Sequence, residues 1–196
     1  MNHERDLEFL YELGTLRNMP RGWKQHLDHE PASVMEHTVR VMWLALIIAK
    51  MEGLTDFGQL LKMALVHDMA ETRTSDLGYI QKVYAQADEN KAVEDMFDGT
   101  IISDFLSELK SYEARDSLEA KIVKDADNLD VDLEMKEMEE QGSKLPEKWK
   151  PFRQKVREEK LYTESAKKLW DEIQTSDVSS WHLKHNKWLR MPNAGK

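Results

Sequence analysis

Cysteine is absent from all 196 residues. That excludes disulfides, thiolate metal sites and cysteine nucleophiles together, and leaves His, Asp and Glu as the side chains able to hold a metal. Basic charge is scarce as well: 28 Lys and Arg stand against 37 Asp and Glu, for a net charge of −9. A nucleic-acid polymer needs a basic face, so such a partner is not expected, whereas a small anionic ligand is allowed wherever a few Arg and Lys gather. Long apolar runs are also missing. The longest, VMWLALIIA from Val41 to Ala49, is too short to span a bilayer and has no basic segment before it. These absences together predict a cytoplasmic protein with no membrane partner.

What is present is a chain with 40 % hydrophobic and 33 % charged residues and no biased tract, the balance of a globular protein rich in exposed helix. Its length suits one domain with a substantial core. Helical periodicity dominates and no strand-like alternation runs beyond a few residues, so the fold is expected to be all-α. The first helix is predicted over Asp6 to Leu16, followed by a loop, RNMPRGWKQHLDHEP, that carries Pro20, Gly22 and Pro31. Ser33 and Glu36 have capping-box spacing before a second helix that continues to Met51 and stops at Gly53. Asp56 to Gln59 repeats that spacing before a third helix running into His67 and Asp68, after which ETRTSD reads as a loop. One or two amphipathic helices are expected between Tyr79 and Lys110. Another begins near Asp116, with Glu119 completing its cap, and ends at Gly142. Beyond Pro146 the composition shifts to Trp149, Trp170, Trp181 and Trp188 among many charges. That pattern suggests helices docked on the body, with the Trp rings as packing anchors.

Val34, His37, Val41, Leu44 and Ile48 form one helical stripe, so His37 points inward. His67 shares a stripe with Leu60 and Ala64, Asp68 follows Leu61 and Leu65, and Asp127 lies with Val123 and Val131. The run Leu61, Met63, Ala64, Leu65 and Val66 reads as core. An ionised carboxylate beside such a core needs a compensating partner, and a cation is the obvious one. Three helices thus aim His37, His67, Asp68 and Asp127 at the interior, the way helical bundles assemble metal sites. Two imidazoles and two carboxylates without sulfur suit one divalent ion with room for water, such as Mn, Fe, Co, Ni or Mg, better than a closed zinc site.

The segments PASVMEHTVRV, ALVHDMAETRTSD and EAKIVKDADNLD, with His37, His67-Asp68 and Asp127 in that order, resemble the H…HD…D signature of HD-domain metal-dependent phosphohydrolases, in the branch containing the 5'-deoxynucleotidases. The resemblance covers Leu7 to Glu140 and weakens beyond. It implies a single HD domain over residues 1–196, an all-α helical bundle with a metal-binding core over about 7–142 and a helical C-terminal extension over about 146–190. It further implies a homodimer that hydrolyses deoxynucleoside 5'-monophosphates to deoxynucleoside and phosphate with a metal-activated water. Carried over by position, it makes His37, His67, Asp68 and Asp127 the metal ligands, Glu71 the catalytic carboxylate and Asp76 a second active-site acid. The NMPRGW loop resembles the segment that supplies an Arg and a Trp to the substrate pocket, which implies substrate-binding roles for Arg21 and Trp23. Ser75 departs from the family, which usually has Gly immediately before that last Asp.

Elementary chemistry fits the same picture. Glu71 lies one turn after Asp68, where it can orient or deprotonate a water. Lys124, one turn before Asp127, can meet a phosphate together with Arg17, Arg21 or Arg73. Read singly, Glu71 and Asp76 are also compatible with solvated loop acids, Lys124 with a solvated helix lysine and Glu113 with a surface charge. Glu36 is assigned to its cap, and the pairs His26/His29 and His182/His185 to exposed positions rather than a second metal site. Two alternatives stay open: a phosphodiesterase or nucleoside-triphosphate hydrolase on the same metal core, and a nucleotide-binding protein without turnover.

Overall fold

A computed structural model describes residues 3–26 and 31–185 of the chain. Within them the fold is all-α, the one β feature being an isolated bridge between Pro20 and Ser33. The helices are α1 Glu4–Leu13, α2 Val34–Met51, α3 Gly58–Val66, α4 Glu71–Thr74, α5 Gln81–Tyr84, α6 Glu89–Phe97, α7 Leu106–Ala114, α8 Leu118–Glu140, α9 Leu145–Glu159, α10 Glu164–Thr175 and α11 Ser180–His185. Short 3-10 turns occupy Gly14–Asn18, Gly22–His26 and Ser103–Phe105. His29 and Trp188 lie outside the described residues, as does the side chain of His26.

Two long helices organise the bundle. α2 begins with the capping box read from sequence: the Ser33 side chain accepts from the Glu36 amide, and the Glu36 carboxylate accepts from the Ser33 amide at 2.7 Å. The stripe Val34, His37, Val41, Leu44 and Ile48 is buried throughout, and it packs against α8, whose Ala120, Val123, Ala126 and Leu129 are fully buried. α3, α7 and α10 close the remaining sides, so Leu60, Met63, Ala64, Leu109, Ala166, Trp170 and Ile173 join one core.

Several boundaries differ from the expectation, each for a local reason. α1 ends at Leu13 and the chain tightens into 3-10 geometry through Asn18. Asp56 accepts from the amide two residues on, Gly58, so it forms an Asx turn and not a capping box. α8 is capped by Ser117, which accepts from the Ala120 amide, rather than by Asp116. The ETRT segment forms the one-turn helix α4 instead of a loop, and three helices, α5, α6 and α7, fill the region given one or two. Leu65 is 53 % exposed and Leu61 half-buried, so that side of α3 is not core.

The C-terminal helices are tied into the body by buried polar groups. Arg153 of α9 makes a two-pronged contact with Asp132 of α8, at 3.0 and 2.7 Å, and donates to the Asn128 carbonyl at 2.7 Å. Asp125 accepts from the amides of Tyr162 and Thr163 and from the Thr163 hydroxyl at 2.7 to 2.8 Å. Trp170 is buried, whereas Trp181 is 68 % exposed and meets the ring of its neighbour His182 edge-on.

Candidate active site

α2, the end of α3 and the middle of α8 bring His37, His67, Asp68 and Asp127 to one point. One ligand atom from each lies within 4.8 Å of the other three. Asp68 arrives by a different route than its Leu61/Leu65 stripe suggested: α3 stops at Val66, and the turn that follows swings the carboxylate inward. His67 Nδ1 lies 2.8 Å from the Ala64 carbonyl, which can only accept, so Nδ1 donates there and Nε2 faces the cluster. His37 is held likewise, with Nδ1 2.6 Å from the fully buried Asp130. The two Nε2 atoms are 3.3 Å apart, and Asp68 Oδ2 lies 3.2 and 3.3 Å from them. Asp127 Oδ1 completes the group at 3.3 Å from His37 Nε2.

Lone pairs and carboxylates converging this closely repel one another unless protons or a cation sit among them. In the protein alone, protons serve. Burial and the Arg21 charge lower the pKa of His37, but its hydrogen bonds to Asp127, Asp130 and Asp68 outweigh them and hold it well above the usual imidazole value. Burial raises Asp68, yet His67 and His37 bring it well below the ordinary carboxylate range, and Lys124 with His37 does the same for Asp127. A divalent ion would replace those protons at the same atoms. The donor set, with the Asp130 carboxylate behind a ligand imidazole, fits such an ion.

The cluster opens into a cavity of about 270 Å³. Glu71, in the first turn of α4, lines it with only 8 % exposure, and its Oε2 is shielded without a hydrogen-bond partner. Burial, reinforced by Asp68 and Asp76, pushes its carboxyl up to about 10. Asp76 lines the cavity too, accepting from the Gly22 amide at 2.9 Å and lying 3.4 Å from Arg21 Nε. Arg21 also meets Asp68 at 3.3 Å and stacks on Trp23 at 5.2 Å. The two loops touch so closely that a Cβ on Gly22 would come 2.7 Å from the Asp76 carbonyl oxygen and the Gly78 nitrogen. Ser75 explains how Asp76 reaches this place: its φ of 63° and ψ of 154° give a bend that glycine adopts freely and serine adopts under strain.

Lys124 lines the cavity and pairs with Asp127 at 2.7 Å. Arg17 and Arg73 do not belong to it: Arg17 donates to the Gly14 carbonyl, and Arg73 is paired with Glu12 at 2.6 Å. Glu113 lines the cavity, and Glu36 is spent on its cap. His182 and His185 are exposed and join no cluster among the described residues.

The sequence reading missed Asp130, Tyr112, Arg115 and the part Trp149 plays. Asp130 falls on the same face of α8 one turn after Asp127, a signal that was legible. Tyr112 meets the His67 ring edge-on at 5.9 Å, and Trp149 of α9 packs edge-on against Trp23 at 6.5 Å while lining the cavity. These contacts cross elements distant in sequence, so no local spacing announces them.

Comparison with known proteins places this geometry. A family model described as HD domain matches residues 13–175. The match continues well past Glu140, where the resemblance was expected to weaken, in keeping with the shared core of α8 and α10. The 5'-deoxynucleotidase HDDC2 of Bos taurus is 33 % identical over 145 residues, 70 % of this chain and 70 % of the relative. That of Danio rerio is 30 % identical over 142 residues, 68 % of this chain and 70 % of the relative. Among solved structures, a conserved hypothetical protein from Pyrococcus furiosus has a TM-score of 0.72 at 26 % identity, covering 86 % of this chain and 98 % of its own. With the ligand cluster inside the matched span, the chain belongs to the HD-domain family.

Proposed function

We propose that the protein is a metal-dependent phosphomonoesterase that hydrolyses deoxynucleoside 5'-monophosphates to deoxynucleoside and phosphate. The observation that carries this reading is the convergence of His37, His67, Asp68 and Asp127 beside a buried Glu71, whose Oε2 has no hydrogen-bond partner, in the lining of one cavity. The relatives' name, 5'-deoxynucleotidase, supports the substrate class.

The four clustered side chains would hold one divalent ion, from among Mn, Fe, Co, Ni and Mg. Such an ion acidifies water and neutralises phosphate charge. Glu71 takes the proton of the attacking water as its oxygen bonds to phosphorus, and returns it to the O5' of the departing deoxynucleoside as the P–O5' bond breaks. Burial first, and then the charges of Asp68 and Asp76, raise the pKa of Glu71, and an ion held by the four ligands would offset the part that comes from those carboxylates. Asp76, the second acid, holds Arg21 and the Gly22 amide in place; Arg21 and Lys124 then present positive charge to the phosphate. Trp23, 7 % exposed and wedged against Trp149 and Val131, offers an apolar edge to the sugar. A 2'-hydroxyl there would lose its hydrogen bonds, a cost of roughly 1 to 3 kcal/mol, or about tenfold to a hundredfold in rate.

We further assign the whole chain to one domain, since α9 and α10 are built into the body, and propose a homodimer. Val39, Trp43, Ile47 and Met51 support the second assignment: they form an exposed apolar stripe along α2, and the solution mass tests it. Among the described residues no helix is long and apolar enough to cross a membrane.

Hydrolysis of dAMP, AMP, dATP and a phosphodiester by Mn- or Co-loaded protein, read by separating the nucleoside, nucleotide and phosphate products, tests the function. Faster conversion of dAMP than of AMP to nucleoside and phosphate, with little cleavage of the diester, is the expected result. Equal rates on dAMP and AMP remove the deoxynucleotide preference; a better diester or triphosphate substrate replaces the reaction class.

A further inference from the structure

Arg21, Lys82, Arg115 and Lys124 are the Lys and Arg side chains that line the cavity among the described residues. Arg21 and Lys124 are already engaged by Asp68, Asp76 and Asp127, and Lys82 is exposed. Arg115 differs from all three. Its guanidinium carbon sits 3.4 Å from the centroid of the Tyr112 ring, no carboxylate pairs with it among the described residues, and its Nη1 is shielded from solvent without a hydrogen-bond partner. A shielded guanidinium donor left unpaired is costly, because water no longer satisfies it.

The backbone beneath it is costly as well. Arg115 caps α7 in the left-handed conformation, with φ 55° and ψ 23°, where Gly or Asn is more at ease. Stacking on Tyr112 occupies the face of the guanidinium and leaves its N–H edges free to donate. Tyr112 in turn stands edge-on to the ligand residue His67, with the two rings at 78°. A planar guanidinium fork is therefore held in the cavity wall beside the ligand cluster, with no carboxylate among the described residues to receive it.

We propose that Arg115 is a specificity-determining residue that binds the phosphate group of the substrate, donating to its peripheral oxygens. The proposal rests on the phosphomonoesterase reading of the site. A planar fork matches two phosphate oxygens at once and has no counterpart on an uncharged nucleoside, so Arg115 favours the substrate over the deoxynucleoside product. Arg21 and Lys124 share their charge with carboxylates of the cluster; Arg115 brings charge that is not already shared.

The test is equilibrium binding of inorganic phosphate and, separately, of deoxyadenosine to the Mn-loaded protein, comparing the parent with Arg115→Gln. Phosphate affinity should fall about tenfold to a hundredfold, as for loss of a charge-assisted hydrogen-bonded contact, with deoxyadenosine affinity unchanged. Arg115→Asn, which suits a left-handed backbone, should give the same selective loss and guards against misfolding of the first variant. A parent that binds no phosphate, phosphate affinity in the variants within twofold of the parent, or a matched fall for both ligands would overturn the proposal. The matched fall would mark Arg115 as a prop for Tyr112. Neither ligand is turned over, so this result is independent of whether the parent releases phosphate from dAMP.

Discussion

His37 does two things with its two nitrogens. Nε2 faces Asp68 and Asp127, while Nδ1 is fixed by Asp130, which Arg40 also contacts. The inward stripe on α2 made the first role legible in sequence. The second was legible only as a position, Asp130 lying one turn after Asp127, and its contact with His37 shows only once α2 and α8 are packed together. Glu71 is a similar case: its spacing after Asp68 was plain, but its burial and its unpartnered oxygen were not. Because it is poised to move a proton and not to hold an ion, Glu71→Ala should lower phosphate release from dAMP by on the order of 10²-fold or more and leave metal content unchanged. Normal turnover in that variant would shift the proton-handling role to Asp76.

At the scale of elements, what failed in the sequence reading were helix ends. Asp56 and Asp116 both stand where a capping residue is plausible, yet one makes an Asx turn and the other yields to Ser117, since neighbouring oxygens compete for the same amides. The ETRTSD segment reads as a polar loop, but α4 is one turn of helix closed by the strained Ser75, and that turn presents Glu71 and Asp76 to one cavity. A backbone of this kind costs a non-glycine residue about 1 to 3 kcal/mol, offset in part by the greater unfolded-state freedom of glycine. Ser75→Gly is thus expected to stabilise the protein by about 1 kcal/mol in thermal or urea unfolding, with dAMP hydrolysis retained. Destabilisation would mean that the loop is held in this bend by the serine itself.

For the molecule as a whole, periodicity alone revealed the all-α class and the core face of α2, because both are repeated over many residues. The cavity wall was hidden: Trp23, Trp149 and Tyr112 come from three distant segments, and the place of Trp149 in it depends on how α9 docks through Arg153 and Asp132. The concentration of charge at the site also shapes global stability. His37 has a folded-state pKa well above its unfolded value near 6.5, so its contribution is complete below that value and is lost as pH rises toward the folded one. Glu71, raised to about 10 by burial, adds the same trend, since the folded state keeps a proton the unfolded chain releases near 4.5. In chelator-treated protein the melting temperature should therefore fall from pH 6 to pH 9. Loading with Mn or Co should oppose the fall, because deprotonation that weakens the empty cluster strengthens an ion's hold. A gap between loaded and stripped protein that narrows with pH would contradict this charge assignment.

The central claim is that His37, His67, Asp68 and Asp127 hold one divalent ion on which phosphate release depends. Its most direct test is a titration of chelator-stripped protein with Mn or Co, recording bound metal by elemental analysis and phosphate released from dAMP in the same samples, beside His67→Ala. The account predicts negligible release from stripped protein, recovery that rises in step with bound metal and levels off near one ion per chain, and neither uptake nor recovery in His67→Ala. Full activity in the stripped protein, or a His67→Ala variant that takes up metal and recovers like the parent, would contradict it.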